Sequence, residues 1–320
     1  MKYSPNLEKI IRNIRSGDRV ALGKAITLIE SRKDKDQEIA DQIVNQLDTK
    51  NNTLRIGITG IPGAGKSTFI ESLGQFLLKK NHRLAVLSID PSSASTKGSI
   101  LGDKTRMPFL AANEQAFIRP TPAGSRLGGV ANRTKETVLL CEAAGFDIIL
   151  IETIGVGQGE IEITNLVDLC LVLTIPGGGD ELQGIKRGIM EIADILVINK
   201  ADMENEKQAN KIAGQLKQAL QLLPLNDPEW KVPVLTCSSI HHRGIQEIWD
   251  QILNYQSTMN VGDKFTRKRH LQNLIWFRQR LMEKIEKQYF SDDETWFKIE
   301  KLEEEVRMGS LTVLEAISKV

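Results

Sequence analysis

A chain of 320 residues, 41% hydrophobic and 26% charged, is long enough to bury a substantial core and too apolar for a disordered or fibrous protein. Its 42 basic residues face 41 acidic ones, a net charge of +1, which excludes a global field aimed at nucleic acid or an acidic membrane. Anionic ligands must therefore be bound locally. Cys141, Cys170 and Cys237 lie far apart, in or beside apolar runs and without zinc-site spacing, and read as buried thiols in a reducing compartment. The opening MKYSPNLEKIIRNIRSGDR lacks the apolar core of a signal peptide, and no apolar run reaches membrane-spanning length; the expected location is cytoplasmic.

Three regions follow in chain order. Residues 1–52 carry Leu7, Ile10, Ile11 and Ile14, then Ala21, Leu22, Ala25, Ile26 and Ile29, at helical spacing, which predicts an amphipathic helical extension. Residues 53–255 alternate short apolar runs (RIGITG, RLAVLSID, FDIILIET, LCLVLTIP, ILVINK, VPVLTCSS) with helical segments. Such runs suit strands buried on both faces, so the predicted fold is α/β: a mostly parallel central sheet flanked by helices. Residues 256–320 open with the basic cluster KFTRKRH and continue as charged helical sequence, too polar to form a core alone.

Strand RIGIT leads into Gly60 to Thr68 and then a helix, the full GxxxxGK(S/T) pattern of a P-loop NTPase in its strand, loop and helix context. Gly60, Gly63 and Gly65, with Ala64 between the last two, let backbone N–H groups turn inward around phosphate oxygens, and the helix aims its positive end at them. Lys66 supplies a point charge for the outer phosphates, Ser67 a hydroxyl for Mg²⁺, and Thr68 completes the binding turn. After ILVI comes Asn199-Lys200-Ala201-Asp202, an NKxD element at the carboxyl end of a strand. The Asp202 carboxylate can accept both the ring N1–H and the exocyclic amine of guanine, a pair adenine lacks, giving discrimination on the order of 10⁴-fold. Lys200 would lie over the base and Asn199 would join the loops, while Ser238, Ser239 and Ile240 follow the next strand, where an amide can meet the guanine oxygen. The expected ligands are GTP and GDP.

For the metal, strand FDIILIE ends on Glu152, with Gly155 three positions later, Gln158 and Glu160 beyond, and RLAVLSID ends on Asp90, with Asp103 further along. Ser67, Asp90, Asp103 and Glu152 are the Mg²⁺ candidates, since Mg²⁺ prefers oxygen ligands and keeps several waters. Gly155 is placed to sense the γ-phosphate through its N–H. Lys66 and Glu152 are candidates for charge stabilisation in catalysis, and Gln158 or Glu160 for orienting water. A glycine-rich charged loop, residues 176–186, is a further candidate mobile element.

The stretches AFIRPTPAGSRLGGVANRTKETVLLCEAAGFDIILIETIGVGQGE and PGGGDELQGIKRGIMEIADILVINKAD resemble the MeaB/ArgK signature within the SIMIBI class of P-loop GTPases, over about residues 40–250. Gly159 stands where many members have serine. The resemblance implies a GTPase that docks on an adenosylcobalamin-dependent acyl-CoA mutase of the methylmalonyl-CoA type, gates cofactor loading and protects or restores the mutase. It also implies a homodimer to which the helical ends contribute, while the balanced charge leads us to expect no nucleic-acid or membrane partner. Two other readings share these motifs: from the enzyme class, a kinase acting on a transport protein, which needs an acceptor hydroxyl beside a base, and a metal-insertion chaperone. The second needs a Cys/His site, for which the chain offers only His82, His241, His242 and His270 with scattered cysteines. A dimeric scaffold that binds GTP without useful hydrolysis is a third alternative.

Overall fold

A computed structural model describes residues 5–31, 33–47, 53–90, 105–122, 131–153, 162–177, 187–202, 205–222, 227–289 and 293–320. The strands are β1 (Leu54–Gly60), β2 (Leu84–Asp90), β3 (Ala116–Pro122), β4 (Ile148–Thr153), β5 (Leu169–Thr174), β6 (Ile195–Ile198) and β7 (Val234–Thr236). They form one seven-stranded sheet in the order β3-β2-β4-β1-β5-β6-β7, every pair parallel. Their buried residues are mostly Val, Ile, Leu or Ala, as a sheet covered on both faces requires. β3 is a strand that the apolar-run reading did not single out. Its Pro120 and Pro122 break the apolar signature, and proline is tolerated there because β3 lies at the sheet edge, with β2 as its single neighbour.

Alternation along the strands splits the interior into two apolar layers. Leu87, Ile89, Ile149, Ile151, Val172 and Ile198 face one side, and Ile56, Ile58, Val86, Leu150, Leu171 and Val197 face the other. The second side is covered by α4 (Lys66–Lys79) and α9 (Ile245–Asn260), through residues such as Phe69, Leu73, Ile248 and Ile252. On the first side lie α6 (Ala131–Ala143) and α8 (Glu206–Leu220), the latter contributing Ile212 and Leu216. The amino-terminal helices α1 (Pro5–Arg15), α2 (Arg19–Glu30) and α3 (Asp34–Asn45) join that same layer: Ile14, Leu22, Ile26 and Ile43 are buried, and α2 packs on α6. Each such side chain contributes about 1.5–3 kcal/mol of burial. Asp18 starts α2 by accepting from the Val20 and Ala21 amides, at 2.8 and 3.2 Å.

Two short helices, α5 (Pro108–Ala112) and α7 (Arg187–Ile192), complete the central region, and α10 (Lys264–Tyr289), α11 (Asp293–Arg307) and α12 (Val313–Ser318) follow it. The chain forms two compact units, residues 1–272 and 273–320. In the first, the basic cluster is a clamp on the segment before β5. Arg269 grips the fully buried Asp168 with both arms of its guanidinium, Nε to Oδ1 at 2.8 Å and Nη2 to Oδ2 at 2.7 Å. Lys268 donates to the Asp168 carbonyl at 2.6 Å, and Gln272 to the carbonyls of Thr164 and Val167, each at 2.8 Å. Lys264 holds Asp227 and Glu229 at 2.8 and 2.6 Å. These cations are thus engaged by internal carboxylates and carbonyls. In the second unit α11 packs on α12, which opens with a capping box between Thr312 and Glu315. Leu302 and Ala316 are its buried apolar side chains among the described residues, whereas Leu274, Phe277, Leu281, Met282 and Ile285 are exposed along α10.

No helix among the described residues is long and apolar enough to cross a membrane. All three cysteines are free and buried, and burial pushes the Cys237 thiol up to about 12.

Candidate functional site

The carboxyl ends of the parallel strands form one rim, and β1 reaches it between β4 and β5, where chain direction through the sheet reverses. The loop after β1 is shaped by its glycines. At Gly60, φ is +144° and a Cβ would stand 2.0 Å from the Leu173 carbonyl oxygen, so only glycine can enter the loop so close to β5. Gly65 caps α4 in the left-handed region, φ +82°, and a Cβ there would meet the Asn199 side chain at 2.9 Å. The first amides of α4 have no partner within the helix and point into the loop. Lys66 Nζ donates to the Gly60 and Ile61 carbonyls, at 3.0 and 3.3 Å, which holds its charge over the loop mouth. Ala64 is buried, while Gly63 and Thr68 are exposed.

Beside this loop, Ser67 Oγ donates to Glu152 Oε1 at 3.0 Å. Glu152 sits opposite Ile58 of β1 and Ser88 of β2, and Thr153 Oγ1 donates to Thr59 Oγ1 at 2.9 Å, fastening β4 to β1 at the rim. The backbone of Asp90 ends β2, one position past the Ile89–Thr153 pairing, so it reaches the same rim. Ser67 and Glu152 therefore meet at this rim, which the backbone of Asp90 also reaches, and a hydroxyl paired with a carboxylate is a donor type that suits Mg²⁺. Asp103, Gly155, Gln158 and Glu160 lie outside the described residues, as does most of the 176–186 loop.

The second loop system is drawn together by one amide. Asn199, 1% exposed, donates from Nδ2 to the Ala64 carbonyl at 2.8 Å, and its Oδ1 accepts from Ser239 Oγ at 2.7 Å and Ser239 N at 3.2 Å. The phosphate loop and the loop after β7 thus share one side chain. Lys200 is exposed and adopts φ +59°, which turns the chain sharply after β6 and brings Ala201 N onto the Cys237 carbonyl at 2.9 Å. Asp202 is half-buried, and its Oδ1 is shielded from solvent with no hydrogen-bond donor. A buried acceptor without a donor costs about 1–3 kcal/mol, a cost that an incoming N–H would offset. Ser238 closes the loop by exchanging both backbone hydrogen bonds with Arg243, at 3.0 and 3.1 Å, and Ile240 is exposed at its tip.

Two features of this region escaped the sequence reading. Thr59 and Thr153 pair across strands far apart in sequence, with no local signal. His242 Nδ1 shares a 2.7 Å hydrogen bond with Ser72 Oγ of α4; away from the rim, at the amino ends of β2 and β4, His82 Nδ1 shares one of 2.7 Å with Asp147. Among the described residues no group of three or more His, Cys, Asp or Glu side chains is placed to hold a metal ion.

A wholly parallel sheet with a GxxxxGKS loop at its central rim, tied through the asparagine of an NKxD element to the loop after β7, defines a P-loop GTPase. The model of the family described as "Methylmalonyl Co-A mutase-associated GTPase MeaB" matches residues 22–294, and the chain belongs to that family. The chain is 44% identical over 289 residues to the GTPase ArgK of Escherichia coli, covering 90% of this chain and 87% of that one. It is 39% identical over 317 residues to the mouse (Mus musculus) protein named "Methylmalonic aciduria type A homolog, mitochondrial", covering 96% and 76%. A crystal structure described as a LAO/AO transport system kinase superposes with a TM-score of 0.77 at 34% identity, covering 100% of this chain and 97% of that one. The likeness thus extends into both helical ends, beyond the motifs of the central region.

Proposed function

We propose that this GTPase, loaded with Mg·GTP, acts as a switch on an adenosylcobalamin-dependent acyl-CoA mutase, gating cofactor loading and protecting or restoring the enzyme. The observation that carries the nucleotide half is the Asn199 clamp, which unites phosphate loop and base loop beside an Asp202 oxygen in want of a donor. Guanine supplies two N–H donors to that carboxylate, and the amides of residues 238–240 donate to its oxygen. Lys66 and the α4 amides neutralise the outer phosphates. Ser67, Glu152, Asp90 and Asp103 would hold Mg²⁺, which would offset the negative charge developing on the phosphates. Gly155 senses the γ-phosphate, and Gln158 or Glu160 orients the attacking water. Loss of the γ-phosphate then releases the loops after β2 and β4, a difference the partner reads.

The mutase half rests on the family match and on the relative named for methylmalonic aciduria. A homodimer through the carboxyl-terminal helices is supported by the exposed apolar series on α10, which a charged helical region otherwise has no reason to carry. In this reading residues 1–52 form a helical extension of the GTPase domain, 53–255, and 256–320 the dimerisation region, all in the cytoplasm.

The test is GTP hydrolysis by the purified protein, alone and with an adenosylcobalamin-dependent mutase from the same source, with Lys66→Ala as control. The expected result is slow turnover, faster with the mutase and lost in Lys66→Ala. Hydrolysis that no mutase alters, with no binding between the two, removes the partner and leaves the GTPase. Radiolabel passing from GTP to a protein would favour the kinase reading instead.

A further inference from the structure

His242 belongs to none of the nucleotide motifs, yet its geometry is unusual. It adopts φ +54°, a left-handed conformation that few non-glycine residues take, in the loop between Ser238 and Gly244. Its ring is directed back onto α4, the helix that begins at Lys66, where Nδ1 and the buried Ser72 hydroxyl lie 2.7 Å apart. The same loop is bridged at its base by Ser238 and Arg243 and carries Ser239, which bonds Asn199. Below it, His82 just after α4 packs edge-on against Trp249 of α9 with ring centroids 5.5 Å apart.

The hydrogen bonds close a circuit. The Ala64 carbonyl receives Asn199, Asn199 receives Ser239, the loop runs on to His242, and His242 returns to Ser72 on the helix that begins two residues after Ala64. Asn199 fixes the near side of the loop to the phosphate-loop backbone, and His242 fixes its far side to the phosphate-loop helix. Residues 240 and 241 are suspended between the two ties, at Ser239 and His242.

We propose that the Ser72–His242 bond is a strut that sets the height of the base-contacting loop over the nucleotide, making His242 a positioning residue for guanine specificity. The inference rests on the guanine reading of Asp202 and the 238–240 loop. The strut acts on the amides that meet the guanine oxygen; adenine carries an amine at that place and gains nothing from them, so the strut strengthens guanine binding selectively. The left-handed backbone is what lets the imidazole reach inward while Ile240 stays at the tip.

Titration of the full-length protein with GDP, and with ADP in competition, tests this with three substitutions. His242→Gly keeps the left-handed backbone and removes the strut; Ser72→Ala removes the partner. His242→Asn tolerates positive φ and puts an amide atom at the place of Nδ1. His242→Gly and Ser72→Ala are expected to weaken GDP binding by roughly three- to tenfold, the scale of one partly buried hydrogen bond, and to lower the preference over ADP by the same factor. The double variant should fall no further, and His242→Asn should retain most of the affinity. Unchanged GDP affinity, additive losses, or an equal loss for ADP would overturn the strut. Asp202→Asn runs alongside: if it keeps full guanine preference, the base-site reading itself fails, whatever the strut variants do.

Discussion

Asn199 Nδ2 lies 2.8 Å from the Ala64 carbonyl oxygen, and this contact joins the end of β6 to the phosphate loop. The opposite side of the same amide accepts from the backbone and hydroxyl of Ser239 and from the Cys237 thiol at 3.4 Å. One buried side chain therefore satisfies donors and acceptors from two loops that are separately mobile in principle. Because the network is closed to water, removing its centre leaves several polar groups unpaired at once.

Asn199→Ala is accordingly expected to cost on the order of 2–4 kcal/mol, divided between fold stability and nucleotide affinity. Calorimetric binding should show GDP affinity reduced by at least about tenfold, with a Tm lowered by a few degrees. An Asn199→Ala protein with unaltered GDP affinity would show that the loops are held by their own backbone geometry alone.

Asp202 offers a sharper chemical prediction. Its Oδ1 is shielded and lacks a donor, so an amide in its place reverses the polarity of one hydrogen-bonding position. Asp202→Asn should lose GDP affinity by roughly 10²-fold and gain affinity for the xanthine nucleotide, whose 2-oxo group accepts where guanine donates. Competition between GDP and XDP measures the switch directly, and unchanged preference for GDP would place the base elsewhere.

Arg269→Met addresses the clamp beneath the sheet. Asp168 is fully buried and takes both its strong partners from Arg269, besides the Arg55 amide at 2.9 Å. Removing the guanidinium leaves a buried carboxylate without its counter-ion, expected to cost about 3–5 kcal/mol. Urea unfolding should register that loss, and Asp168→Asn in the Arg269→Met background should recover part of it, because the uncompensated charge is then gone.

The sheet and the place of the candidate loops at its rim were legible because the signals are local: apolar runs of strand length, and motifs whose spacing is set by a single turn. β3 was not, since Pro120 and Pro122 remove the usual strand signature and its place at the edge, which permits them, is a tertiary fact. The KFTRKRH cluster could be seen as basic but not as a clamp, because Arg269 and Asp168 are 101 residues apart. The same holds for His242, 170 residues from Ser72: a histidine in a polar turn carries no sequence mark of what it reaches. Helical periodicity did reveal the inward faces of α1 and α2, whose Ile14, Leu22 and Ile26 lie in the core.

The charges around Arg55 lead to a pH prediction whose sign differs from that of an ordinary ion pair. Arg55 meets Glu142 at 2.7 Å and Arg269 meets Asp168 at 2.7 Å, so two cations and two anions already balance. Lys135 is buried beside them with no hydrogen-bond acceptor for its ammonium. Burial first, and then the positive charge of Arg55, lower its pKa from 10.5 to about 8, against the opposing pull of Glu142 and Asp168. Below about 8 the amine is charged in both folded and unfolded chains, and the folded state bears the cost of an unpaired buried charge. Between about 8 and 10.5 the unfolded chain still binds the proton that the folded chain has released, so this group's contribution makes stability rise with pH across that window. Lys135→Met should therefore be more stable than the natural protein near neutral pH, by on the order of 1–3 kcal/mol, with the advantage shrinking as pH approaches about 9.5. Cys141, Cys237 and Tyr255, whose ionisation burial opposes, push stability the other way at high pH, but equally in both proteins, and cancel in the difference. Urea unfolding of the two proteins at the two pH values decides it: a variant less stable near neutral pH would mean that Glu142 and Asp168 depend on the ammonium.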